Sequence, residues 1–194
     1  MNKVYLISTQ NLKDSSIINN NVDDSLLHNA ILEAQEIELQ QILGSKLYKY
    51  IINAVEDNSI SSPNNAEYKS LLDEYCTKVV IYAAMLRAIP YIHYKVMNKG
   101  VQTQNSDNSS TTSISEMEFI MDKIKNDLEF FSTRLSTYLL ANREKFPEYS
   151  FVKTIDEIAP KPQQYRSAMV MDTPEDYFPC IRSYGFNWRT VNCL

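Results

Sequence analysis

Apolar residues along the first three-quarters of the chain recur at helical spacing, and the breaks between runs fall at Gly, Pro and Asn. Val4, Leu6 and Ile7 make a short extended or capping segment. Asn19-Asn20-Asn21 reads as a turn, and Asp23 or Asp24 is placed to cap a helix by accepting from its free N–H groups. That helix is predicted to run to about Leu43, with Leu27, Ile31 and Ala34 inward and Leu39, Ile42 and Leu43 near its end. Gly44 fits the position just past a helix, where positive φ is cheap for glycine. Ser45 then caps a short second helix carrying Leu47, Tyr50, Ile51, Ala54 and Val55 on one face. Residues 57–65 are polar, contain Pro63 and read as a loop.

The longest apolar stripe follows. Tyr68, Leu71, Leu72, Tyr75, Cys76, Val79, Val80, Ala83 and Leu86 predict a central helix from about Asn65 to Lys99, and the width of the stripe implies burial on more than one side. Pro90 removes a backbone donor inside it and predicts a kink, after which Tyr91, Ile92, Tyr94, Val96 and Met97 resume the pattern until Gly100. Val101–Ser115 is almost wholly Ser, Thr, Asn, Gln and Asp, a flexible loop by composition. Ser115 and Glu118 have capping-box spacing. A last long helix to about Arg143 turns Met117, Ile120, Ile124, Leu128, Phe131, Leu135, Tyr138 and Leu139 inward, and Phe146-Pro147 ends it. The fold class is therefore all-α: a helical bundle around a long kinked central helix, occupying residues 1–149.

Residues 150–194 have a different pattern. Pro160, Pro162, Pro174 and Pro179 prevent a long helix, yet Phe151, Tyr165, Tyr177, Phe178, Tyr184, Phe186 and Trp188 make the segment aromatic, which flexible linkers are not. It reads as an extended C-terminal arm that packs against something. Aromatic side chains anchor many interfaces. Tyr177, Phe178, Tyr184, Phe186 and Trp188 are accordingly the candidate partner-binding residues, in preference to an arm folded back on its own helices.

Composition narrows the chemistry. The net charge of -5 is spread thinly, so the basic patch that dominates nucleic-acid affinity is missing. The 3 glycines, Gly44, Gly100 and Gly185, are isolated, which excludes phosphate-cradling loops. Cys76, Cys180 and Cys193 form no CxxC pair. His28 and His93 lie on different predicted helices with no ligand at metal-binding spacing, and a Cys76–His93 nucleophilic pair is disfavoured because Cys76 sits on the apolar stripe. Glu33, Glu36 and Glu38 read as a solvated face, and the tyrosines of the central helix as helix–helix contacts rather than a ligand wall. No catalytic residue, no metal site and no cofactor is expected, and neither is a signal peptide or a membrane-spanning run.

The order of certain short stretches resembles the head–tail connector, or neck adaptor, proteins of tailed phages, particularly crAss-like phages. These are Asn21-Val22-Asp23 before the first helix, Ala34-Gln35, Leu43-Gly44 followed by Leu47-Tyr48, then Tyr68 and Leu71-Leu72. Asn98-Lys99-Gly100-Val101, Tyr138-Leu139, Asn142 and Phe146-Pro147-Glu148-Tyr149 complete the series, which spans about Tyr5 to Tyr149. The resemblance implies a homo-oligomeric ring, typically a dodecamer, docked beneath a portal protein in the virion neck and assembled in the host cytoplasm. Such a ring binds further neck or tail proteins and lets genome DNA pass through its lumen without specific binding. Gly100 and Val101 join the candidate partner-binding residues on this basis. The alternative is a small cytosolic helical protein-binding or regulatory module, and a cytosolic hydrolase is a third class that the missing motifs disfavour.

Overall fold

The computed structural model describes residues 3–97, 100–103, 114–151 and 158–161. The chain divides into two units, Met1–Gln163 and Gln164–Leu194, and every described residue belongs to the first. That unit is all-α apart from one short hairpin. It contains α1 (Thr9–Asp14), α2 (Asp24–Glu33), a π-helical turn (Ala34–Leu39), α3 (Gln40–Glu56), α4 (Ala66–Leu71), a second π-helical turn (Leu72–Cys76), α5 (Thr77–His93), β1 (Tyr94–Met97), β2 (Gly100–Thr103) and α6 (Ile114–Ala141).

Asp23 is the cap of α2, its carboxylate accepting from the Ser25 N–H at 3.1 Å. Lys13, at the end of α1, donates to the Asn20 carbonyl at 3.1 Å and pairs with Asp24 at 2.6 Å, which fastens α1 against the start of α2. That lysine holds the Asp24 carboxyl below the usual carboxylate range. Gln35 is wholly buried in the first π turn. Its amide accepts from Leu6 N–H at 2.8 Å and donates to the Val4 carbonyl at 3.1 Å, so one side chain satisfies an extended N-terminal segment that has no strand partner.

α5 packs against α6 on one side and against α2 and the first π turn on another. The breadth of its apolar stripe has this origin: Val79, Val80, Ala83, Ala84 and Ala88 are all buried, and the three alanines allow close approach. Tyr75 stacks on Tyr138 at 4.2 Å and Tyr82 on Phe131 at 5.0 Å, so these tyrosines are helix–helix contacts. Ser136 is buried between the helices and donates to the Ser132 carbonyl at 2.9 Å. Thr77 Oγ1 donates to the Leu72 carbonyl five residues back, at 2.9 Å, supporting the widened second π turn.

Three expected boundaries are corrected. The central helix ends at His93, not Lys99: it runs three residues past Pro90 and then becomes strand. Tyr94, Lys95, Val96 and Met97 pair antiparallel with Thr103, Gln102, Val101 and Gly100. Four residues with β-branched and aromatic members satisfy a strand as readily as one helical turn, and the chain past a proline has already lost a ladder bond. Gly100 thus begins a strand rather than stopping a helix. The polar loop is correspondingly shorter, since Gly100–Thr103 is strand and α6 starts at Ile114, with Ser115 inside it rather than capping it. Lastly, Met117 and Ile120 do not face the core. Met117 is half-buried and Ile120 exposed, while Ile124, Leu128, Leu135 and Leu139 are buried.

Beyond α6 the chain folds back over the start of the central helix. Phe146 is fully buried, edge-on to Tyr68 at 5.3 Å, and Tyr68 donates to the Glu148 carboxylate at 2.6 Å. Lys145 pairs with Glu67 at 3.1 Å. The contacts of the helical body continue through Ile158–Lys161, inside the stretch expected as arm: Ser45 N–H donates to the Ile158 carbonyl and Lys161 N–H to the Gln41 carbonyl, both at 2.9 Å. A second helical stretch does begin at Ser45, after the break at Gly44, but the Ser45 hydroxyl does not cap it through the helix's own N–H groups. That hydroxyl accepts from the Ile158 N–H at 3.0 Å and from the Gln40 amide at 3.1 Å.

Candidate functional site

The described surface carries its most unusual feature where α5 ends, α6 begins and the α1–α2 loop passes. An apolar groove of about 340 Å³ is lined there by Ile17, Ile18, Asn19 and Val22 from the loop. Ile89, Ile92 and His93 on α5, with Met117 and Ile120 on α6, complete its walls. The groove lies where the first turns of α6 meet the last turn of α5, just before that helix gives way to β1. Ile18 is buried, but Ile17 beside it is 68% exposed. On the same helix turns, Tyr91 is 56% and Phe119 73% exposed. Single exposed apolar residues are ordinary; exposed residues such as Ile17 and Ile120 inside one apolar groove are less so. The hairpin of β1 and β2 issues directly from the groove at His93.

Among the described residues, His93 is the one titratable group in this lining. Arg87 bridges α5 to the first π turn, with Glu38 at 3.0 Å and Glu33 at 3.8 Å. His28 packs its ring against Tyr5 at 4.9 Å. Cys76 is fully buried, and burial pushes its thiol up; a thiol held protonated is a poor nucleophile. Seventeen residues of helix separate Cys76 from His93, about 25 Å at the helical rise, so the two do not meet. Among the described residues no three His, Cys, Asp or Glu side chains converge, and no helix is long and apolar enough to cross a membrane.

Burial likewise raises Tyr48, Tyr68, Tyr138 and Tyr149, with Tyr68 held further by its bond to Glu148. All five groups have folded pKa values above their unfolded ones, so their contribution to stability is complete below the unfolded pKa and declines as pH rises beyond it. Urea midpoints are therefore expected to hold to about pH 8.5, fall from about pH 9 as the unfolded thiol ionises, and fall more steeply above about pH 10 with the tyrosines. Cys76→Ala should remove the first stage alone. A midpoint unchanged up to pH 11 would contradict the burial pattern.

Of the candidate partner-binding residues, Gly100 and Val101 lie on β2, beside the groove in sequence but paired with Met97 and Val96. Tyr177, Phe178, Tyr184, Phe186 and Trp188 lie outside the described residues. Sequence reasoning missed the groove itself. Its signal was present in Ile17 and Ile18, a pair of branched apolar residues in an otherwise polar turn.

A family model described as a family of unknown function, DUF6712, matches residues 39–157, more than half of the chain. The chain belongs to the DUF6712 family. The DUF6712 match begins where the first π turn passes into α3 and takes in the central helix, the hairpin, α6 and the Phe146–Tyr149 return. The Gly44–Ser45 break lies inside it, and Ile158 is the first residue after it. No curated protein and no solved structure matches the chain.

Proposed function

We propose that the chain is a structural virion protein of a tailed phage: a subunit of the ring beneath the portal that joins head to tail and extends the DNA channel. The observation that carries the reading is the apolar groove, with Ile17 and Ile120 exposed in its lining, on an otherwise well-packed helical body. A ring subunit needs a rigid body and a surface reserved for neighbours, and it needs no chemistry. The order of motifs from Asn21 to Tyr149 supports the same reading, and several of those residues prove to be structural anchors. Asp23 caps α2, Gln35 clamps the N-terminal segment, Gly44 makes the helix break, and Phe146 and Glu148 lock the return. A mildly acidic chain, with net charge -5, suits a lumen through which DNA slides without adhering.

In this reading the groove receives a neighbouring subunit or the portal, and further neck or tail proteins bind the completed ring. Electron microscopy of the full chain incubated with portal rings tests it. The expected image is a second ring stacked coaxially on the portal, with an open axial channel wide enough for duplex DNA. Portal rings that stay bare at saturating concentrations of the chain would overturn the reading. The alternative, a small helical protein-binding or regulatory module, draws on the same groove, and under it the chain remains a monomer or dimer.

A further inference from the structure

The helix from Asp24 to Glu56 is interrupted at one residue. Gly44 has φ 76° and ψ 159°, a region open essentially to glycine alone. In an unbroken helix the Ser45 N–H would donate to the Gln41 carbonyl four residues back. Here that bond is open, and both of its ends are taken up by another segment. Ser45 N–H donates to the Ile158 carbonyl at 2.9 Å, and the Gln41 carbonyl accepts from Lys161 N–H at 2.9 Å. The Ser45 hydroxyl accepts the Ile158 N–H at 3.0 Å, so Ile158 is held at both its backbone groups. Between these bonds, Pro160 is buried against Gly44, so close that a Cβ on residue 44 would lie 2.7 Å from the proline ring.

We propose that Ile158–Lys161 is a removable wedge in the ladder of this helix. Seated, it holds Asp24–Glu56 broken at Gly44; withdrawn, it lets Ser45 N–H close on the Gln41 carbonyl and the helix run through. Two of its three bonds engage helix backbone groups, Ser45 N–H and the Gln41 carbonyl, which are each other's partners in a continuous helix. Glycine suits this role in both states, because it alone tolerates the seated conformation and it remains allowed, though disfavoured, in a helix. Residues 162–194 continue directly from the wedge. Any partner that takes up the chain from Ile158 onward therefore shifts the balance toward the continuous helix, in proportion to its preference for the withdrawn state. The inference does not depend on the ring reading, since it concerns one helix and one strap within the same unit.

Hydrogen exchange resolved to single amides in the full chain tests it. In the unaltered protein, Ile158 and Lys161 should exchange by a shared local opening, with Ser45 slower because it re-pairs with Gln41 when the wedge leaves. Gly44→Ala acts on both states at once: it strains the seated form and favours the helical one. It should speed exchange at Ile158 and Lys161 by roughly ten-fold or more, as expected for strain in a glycine-only region, while Ser45 stays protected. Pro160→Asp, which puts a charge into the buried slot and leaves the helix sequence intact, should do the same. The idea is overturned if Ser45 loses protection together with the strap in either variant. It is equally overturned if, in the unaltered protein, all three amides exchange only by global unfolding, a result that stands even where a variant fails to fold.

Discussion

Replacing Phe146 by alanine is expected to destabilise the helical body by about 3–5 kcal/mol, the range for deleting a large buried aromatic side chain. Phe146 is fully enclosed and holds the return segment by its edge-on contact with Tyr68, with Tyr138 at 6.2 Å on its other side. The loss extends beyond one cavity. Phe146 sets the turn that places Glu148 on the Tyr68 hydroxyl and buries Tyr149, so its removal loosens a hydrogen bond to a charged group as well. Chemical denaturation at pH 7 measures the effect, with Phe130→Ala as control. Phe130 is 63% exposed, and its truncation should change stability by no more than about 0.5 kcal/mol. Equal effects at the two positions would mean that the return segment is not part of the folded body.

If the chain is the ring subunit proposed above, deleting residues 164–194 is expected to leave that body intact and to remove most of the ring assembly. Pro174 and Pro179 rule out a long helix there, and Phe178, Tyr184, Phe186 and Trp188 are the segment's candidate anchors for another surface. Each contributes on the order of 1.5–3 kcal/mol when removed from water. Four such anchors together contribute about 6–12 kcal/mol, of the same order as the cost of association itself. The deletion point matters. Ending the chain after Gln163 retains the strap at Gly44, whereas ending it after Tyr149 also removes the bonds of Ile158 and Lys161 and the burial of Pro160. The shorter chain should therefore unfold at lower denaturant than the chain ending at Gln163. Trp188 is the only tryptophan, and in the full chain its emission should shift to the blue as assembly proceeds. If the chain ending at Gln163 assembles as well as the full one, the aromatic segment has no role in assembly.

Much of the helical body was legible because it rests on side-chain patterns. Asp23 as a cap, the stripe of Leu27, Ile31 and Ala34, the two-sided burial of the central helix and the glycine at positive φ each leave a periodic or positional mark. What escaped sequence reasoning leaves no such mark. The strap is held by N–H and C=O groups that every residue but proline possesses, so only the pairing of Gly44 with Pro160 betrays it. The hairpin uses four residues per strand, too few for alternation to outweigh the helical pattern running into it. The π turns widen the helix without interrupting its apolar stripe, which is why Ala34–Leu39 and Leu72–Cys76 read as ordinary helix. The groove is formed jointly by the α1–α2 loop, α5 and α6, a property of tertiary packing that none of the three encodes alone.

The native mass of the full chain, measured alone and after mixing with portal rings, bears most directly on the proposal of a ring subunit. A ring subunit gives a discrete species near twelve times the 22.4 kDa chain, either free or bound to the portal in that ratio. A species of one or two chains that portal rings leave unchanged at every concentration would contradict it.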